Sequence, residues 1–179
     1  MELNAVRLVV ADAPLLDAAL AGSPALEEAL GVAVVQGWDV FPGSMARLRA
    51  QVAADPASAR WGTRFFVAGE PPALVGWGGF KGPPREGAVE LGYAVAPACE
   101  GRGLATAAVR AMLEEAFADP GVRSVIAHTL PEPGPSPRVL EKAGFGFEGD
   151  VTEQGRTAWR FRILDGTSPP SSTGRAPDL

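Results

Sequence analysis

Apolar positions change their spacing twice along the chain, and the predicted elements follow those changes. Ala5 to Val10 is short, apolar and rich in branched residues, the composition of a strand. Pro14 to Leu20 and Pro24 to Leu30 each open on a proline and continue in Leu, Ala and Glu, which predicts two short helices. In Ser44 to Ala54 the apolar residues Met45, Leu48 and Val52 recur three and four apart, with Ser44 as a candidate cap, so a third helix is expected. From Trp61 onward the pattern is that of strands. Thr63 to Ala68, Ala73 to Lys81 and Ala88 to Val95 are separated by Gly/Pro clusters at 69–72 and 82–87, which predicts an antiparallel meander. Leu104 to Ala118 then carries Leu104, Ala105, Ala108, Val109, Met112, Leu113, Ala116 and Phe117 in one helical stripe, with Arg110 and Glu114 opposite. Val122 to Thr129 reads as a strand, Ser136 to Ala143 as a short helix and Gly155 to Leu164 as a last strand.

Composition narrows the class. A chain of 179 residues suits one domain, expected over residues 1–164. Residues 165–179 are rich in Gly, Ser, Thr and Pro with Leu179 as their only large apolar residue, so a flexible tail is expected there. The apolar share is 46%, yet no apolar run approaches the ~20 residues that span a bilayer, and the first residues have no export signal. A soluble, cytoplasmic protein is expected. One cysteine, Cys99, and one histidine, His128, cannot assemble the familiar Cys/His zinc sites, so no metal is expected. A net charge of -5 argues against nucleic acid as the partner and suits a cationic substrate such as an amine.

The chemistry concentrates in one turn. Between the strand ending at Val95 and the helix beginning near Leu104 runs Ala96-Pro97-Ala98-Cys99-Glu100-Gly101-Arg102-Gly103. A Gly-rich turn that opens a helix aims unpaired backbone N–H groups and the positive end of the helix dipole at one point, where an anion such as a phosphate binds. Glycines at 101 and 103 let the backbone approach a ligand without a Cβ between them, and Ala105 keeps the first helical turn small. Leu104-Ala105-Thr106 does not supply the Gly-Lys-Ser/Thr end of a Walker loop, and Thr106 stands where a dinucleotide fingerprint needs its third glycine.

The turn resembles the signature Arg/Gln-x-x-Gly-x-Gly/Ala of the GNAT superfamily of N-acetyltransferases. Gly103 and Ala105 match its last two positions, and Glu100 stands where Arg or Gln is usual. Val75 to Phe80 (VGWGGF), Glu90 to Val95 (ELGYAV) and Ser136 to Phe145 (SPRVLEKAGF) resemble further landmarks of that family in the right order. The last is most similar to the branch of ribosomal-protein N-terminal acetyltransferases, with Gly134 where that branch has asparagine.

The resemblance implies an α/β fold: a mixed, mostly antiparallel sheet of six to seven strands flanked by helices. The strands ending near Val95 and Thr129 would be parallel and splayed around a pantetheine arm. It implies acetyl-CoA as cosubstrate, bound by Ala94, Val95, Gly101, Arg102, Gly103, Leu104, Ala105, Thr106 and Ser136. Its implied activity is transfer of acetyl to a primary amine, a protein N-terminus or a small molecule, with no nucleic-acid or membrane partner and a homodimer by analogy. A catalytically silent CoA-binding module is the alternative.

Acetyl transfer needs a base for the amine, an oxyanion donor and a proton for the thiolate. Glu90 alternates with Val89 and Leu91 on a strand heading into the site, where partial burial would raise its pKa towards that of a base; a hydrogen-bonded strand carboxylate is the alternative role. His128, near the end of the partner strand, is either a base or substrate contact, or a structural hydrogen-bonder. The family's tyrosine acid is replaced by Leu140, which leaves Ser136 as weak acid, as cap of a helix begun at Pro137, or as both. Trp38 and Phe41 either wall the acceptor pocket or pack in the core, and Cys99 reads as an apolar filler.

Overall fold

Phe65 and Phe66 are neighbours in sequence and both fully buried, which a strand permits only when both of its faces are covered. They lie in strand β3 (Thr63–Ala68), within a computed structural model that describes residues 5–41, 43–153 and 155–166. Helices α1 (Ala13–Ala21), α2 (Ser23–Leu30) and α3 (Ser44–Ala54) cover one face, where Phe65 packs with Leu16, Leu26, Trp38, Met45 and Leu74. Helix α4 (Leu104–Phe117) covers the other, where Phe66 joins Val75, Leu91, Val109 and Met112. The apolar stripe of α4 is the reason: seven of its side chains are buried, Leu104 to Ala116 at helical spacing.

Among the described residues the sheet has eight strands. β1 (Val6–Val10) pairs antiparallel with β3, and β3, β4 (Ala73–Phe80) and β5 (Ala88–Val95) form the expected meander. A two-residue strand, β2 (Ala33–Val34), runs parallel to β4. β5 then pairs parallel with β6 (Ser124–Thr129), which is followed in space by β8 (Arg156–Leu164) and the edge strand β7 (Gly146–Glu153). The mixed, mostly antiparallel sheet with the expected parallel pair, β5 and β6, is thus present, with a second parallel pair at β2 and more strands than the sequence pattern predicted. β7 was not expected because GFEGDVTE has few apolar residues, and as an edge strand it buries little.

Local chemistry departs from expectation at the caps. α1 is capped by Asp12, whose carboxylate accepts from the Leu15 N–H at 3.0 Å. Ser44 is not the cap of α3; it is the first helical residue, behind a left-handed Gly43. Helix α5 (Pro135–Ala143) begins before Pro137, so Ser136 lies in its first turn and caps nothing; Gly134 holds the cap position. Proline at the first position explains the earlier start, since its missing N–H has no partner to lose there.

Arg64 is the buried charge of β3, with 6% of its side chain exposed. Its guanidinium donates to Glu115 of α4 at 2.9 Å and to the carbonyls of Ala59 and Arg60 at 3.1 and 2.6 Å. It thereby ties the 3-10 turn Pro56–Trp61 to the sheet and to α4. Among the described residues no helix is long and apolar enough to cross a membrane. Asp165 and Gly166 form a turn after β8, and the rest of the expected tail, 167–179, lies outside the described residues.

Candidate active site

The site originates in a failure of pairing. β5 and β6 match at Ala88 with Ser124, Val89 with Val125 and Glu90 with Ile126, and at no later position. Beyond Glu90 the strands diverge, so the backbone groups of β5 that face β6 have no strand partner and need another. On its other side β5 stays paired with β4 to Val95, opposite Gly76. The approach there is close: a Cβ on Gly76 would stand 2.3 Å from the Ala94 carbonyl oxygen and 2.7 Å from Val95 Cα. Glycine at 76 is what lets the end of β5 lie where it does.

After Val95 the chain turns through a short 3-10 segment, Pro97–Cys99, and enters α4 through Gly101 (φ 70°) and Gly103 (φ 78°), both left-handed. No side chain caps α4. The first amides of a helix have no partner inside it, so those of Leu104, Ala105 and Thr106 point out at the positive end of the dipole. They open on a cleft of about 480 Å³ lined by Ala94, Val95, Gly101, Gly103, Leu104, Ala105, Thr106 and Ser136, all expected as cofactor contacts. Arg102 was expected among them and does not line the cleft; it is exposed on the turn. Glu100 does line it, as do Arg138 and Lys142 of α5. Those two cations lie four apart on one helical face, a spacing that could have been read from the sequence.

A second cavity, about 460 Å³, lies between the sheet and the early helices. Its walls include Leu16, Phe41, Leu48, Val52, Trp77 and Phe80, with Arg47, Gln51, Ser58 and Lys81 as polar lining. The two cavities share Phe41, Tyr93 and Ala94. Phe41, 54% exposed, therefore stands at the junction and packs edge-on against Trp77. Trp38 does not reach either cavity: it is buried in the core against Phe65, the second of the two roles open to it. Cys99 is free and buried in the core, and it also lines the first cleft.

Tyr93 crosses the splay. Its hydroxyl donates to the Ser136 carbonyl at 3.0 Å, joining the end of β5 to the first turn of α5. Burial pushes its phenol well above the ordinary tyrosine value, and the hydrogen bond offsets only part of that, so the hydroxyl keeps its proton. Leu140 is fully buried in the core cluster against which Tyr93 packs.

Glu90 sits four residues before Ala94, about 13 Å along an extended strand. It is 19% exposed, lines neither cavity, and accepts from the Lys81 ammonium and from His128 Nδ1 at 2.9 Å. Burial alone pushes its carboxyl up, the shift expected from the sequence. The hydrogen bonds from His128 and Lys81 more than offset it, so the group titrates below the ordinary glutamate value. His128 Nδ1 also lies 3.3 Å from Glu153 of β7. Facing two carboxylates that can only accept, the ring donates through Nδ1. His128 lies two residues beyond Ile126, the last β6 residue paired with β5, and lines neither cavity. Ligand atoms of Glu90, His128 and Glu153 fall within 4.8 Å of one another, but the Lys81 ammonium already holds the shared Glu90 oxygen. Asp39 lines neither cavity; its Oδ1 is buried without a partner among the described residues, and burial raises its pKa.

Known proteins share this architecture. The chain superimposes on an aminoglycoside acetyltransferase solved with coenzyme A and kanamycin, at 22% identity over 90% of this chain and 94% of that one, with a TM-score of 0.61. It superimposes likewise on a putative acetyltransferase from Salmonella typhimurium solved with acetyl-CoA, at 17% identity over 94% and 99% of the chains and a TM-score of 0.61. A chimeric spermidine N-acetyltransferase from Vibrio cholerae matches at 21% identity over 66% and 74%, with a TM-score of 0.54. At these identities the likeness is one of fold. No curated protein matches the chain in sequence. The family model for the acetyltransferase (GNAT) domain matches residues 3–146, and with that match the chain belongs to the GNAT family of acyl-CoA-dependent acetyltransferases.

Proposed function

We propose that this protein transfers the acetyl group of acetyl-CoA to a primary amine by direct attack within a ternary complex. The observation that carries the reading is the meeting of two cavities at Phe41, Tyr93 and Ala94. One has an anion-binding helix terminus, the other a mixed apolar and polar wall suited to an acceptor. A thioester seated at the junction would be open to attack from the second cavity.

In this reading the pyrophosphate rests on the amides of Gly101 to Thr106, and the pantetheine amides bond the free backbone edge of β5 around Val95. That edge also supplies the N–H that stabilises the oxyanion. Among the described residues no carboxylate or imidazole lines the acceptor cavity, so in this reading the amine loses its proton through water, with His128 as the acceptor and Glu90 orienting the ring. The Ser136 hydroxyl, or water held by it, returns a proton to a thiolate that needs little help, since its parent thiol has a pKa of ~8.5 like that of cysteine. The acceptor is either a small-molecule amine or the α-amino group of a peptide N-terminus. A cytoplasmic reaction is the setting this reading proposes.

Release of free thiol from acetyl-CoA in the presence of an amine panel tests this directly. Turnover that requires both substrates is expected, with initial rates that fit sequential rather than ping-pong kinetics. Glu100, a carboxylate lining the cofactor cleft, favours the one competing reading, a CoA-binding module without activity. Calorimetric binding of acetyl-CoA with no thiol release on any amine would establish that instead.

A further inference from the structure

We infer that the acceptor is an amine that also carries an oxyanion, a carboxylate or a phosphate, and that Arg47 and Lys81 select it. The inference rests on the acetyltransferase reading and deepens it. Among the described residues the ionisable side chains in the wall of the acceptor cavity are Arg47, Lys81 and Tyr93, and no aspartate or glutamate lines it. Arg47 is exposed on α3 and has no ion pair among the described residues, so its guanidinium is free to take a two-oxygen acceptor in fork geometry. Lys81, at the end of β4, shares its charge with Glu90, but three N–H donors leave it able to reach a second anion.

The nearby carboxylates are already engaged or turned away. Glu90 is held by Lys81 and His128, and Asp17 is paired with Arg49 at 2.6 Å. Asp39 lies outside the cavity wall. A polycation entering here would meet two cations and lose hydration without a carboxylate to replace it. An amine with an anionic group gains from the same two residues, while its body packs on Phe41, Leu48 and Trp77. This reverses the expectation drawn from the net charge of -5: the whole chain is acidic, but the wall of this cavity is basic.

Matched pairs of acceptors test the inference at saturating acetyl-CoA. Phenylalanine is compared with phenylalaninamide, and phosphoethanolamine with ethanolamine, which separates carboxylate from phosphate; spermidine and kanamycin supply the polycations. The amide amine is the less basic of its pair, so intrinsic reactivity at neutral pH favours the amide. Wild-type protein is expected to prefer the anionic member of at least one pair by tenfold or more in kcat/KM, mainly through KM. Arg47→Glu is expected to collapse that ratio at least tenfold, and Arg47→Lys to retain part of it. Equal or better turnover of spermidine, kanamycin or the neutral partners overturns the inference and leaves the acetyltransferase reading standing. So does an Arg47→Glu variant, folded by circular dichroism, whose ratio is unchanged. A protein that binds acetyl-CoA yet releases thiol with none of these amines overturns the proposed function itself, and the inference with it.

Discussion

Adding one methyl group at Gly76 and one at Gly92 separates the two jobs of β5. At Gly76 the new Cβ would meet backbone: the Ala94 carbonyl oxygen at 2.3 Å, Val95 Cα at 2.7 Å and the Ala94 carbonyl carbon at 3.1 Å. Neither strand has a flexible side chain to move aside, so β4 and β5 must part by about 1 Å. Overpacking of this kind costs about 1–3 kcal/mol, and contact with backbone places Gly76→Ala at the upper end. For a domain of this size 3 kcal/mol lowers Tm by roughly 6–12 °C. At Gly92 a Cβ would meet nothing within 4 Å, and the residue lines the acceptor cavity. Gly92→Ala loses a strand glycine's entropy cost of about 0.5–1 kcal/mol, so its Tm should stay level or rise slightly. Thermal unfolding by circular dichroism gives the first readout. The second is kinetic: Gly76→Ala should weaken acetyl-CoA binding because Ala94 and Val95 move, whereas Gly92→Ala should raise the acceptor KM. A Gly76→Ala protein melting within about 2 °C of wild type, or a Gly92→Ala protein destabilised as much as Gly76→Ala, would refute the reasoning.

Three further substitutions probe other parts of the structure. Arg64→Met removes the tie to Glu115 and the guanidinium donors to the part-buried carbonyls of Ala59 and Arg60; a loss of about 3 kcal/mol in urea unfolding is expected, and less than 1 kcal/mol would show that water replaces those bonds. Glu90 titrates below its ordinary value of 4.5, so it contributes stability that is fully present above that pH and lost as pH falls through the lower, folded value. Glu90→Gln should therefore flatten the acid limb of a Tm-against-pH curve below about 4.5, and an unchanged limb would contradict the assigned hydrogen bonds. Glu100→Gln, by removing a carboxylate from the cleft wall, should tighten acetyl-CoA several-fold by calorimetry, and unchanged affinity would mean that the carboxylate points to solvent.

The cleft at the start of α4 was legible because it is local. Gly101, Gly103 and Ala105 fall within five residues, and a strand-turn-helix reading suffices to predict an uncapped helix terminus there. The α4 stripe was equally plain, since its period is a property of consecutive residues. The acceptor half was not, because its wall is assembled from α1, α3, the 3-10 turn, β4 and β5, and no spacing in the chain brings Arg47 to Lys81. Glu90 shows the same limit from the other side. Its burial was foreseen, but the sign of its shift depends on Lys81 across a hairpin and His128 on a neighbouring strand, which only the register reveals. Trp38 and Phe41 carried one expectation and divided between core and cavity, a difference that three residues of irregular chain decide. β7 escaped notice because an edge strand needs no apolar face.

The three-pair seam between β5 and β6 also bears on how the chain can be divided. Strands β1 to β5 come from residues before 96 and strands β6 to β8 from residues after 123, so the two spatial halves of the sheet are also consecutive stretches of polypeptide. A nick in the turn at 119–122 severs no strand and no helix. The resulting pieces would be held by the core that α4 shares with both and by the Tyr93 and Arg110 contacts to α5. A cofactor seated in the splay would touch each piece and act as a molecular staple, making this turn the natural breakpoint for a split protein whose reassembly reports on the cofactor's concentration.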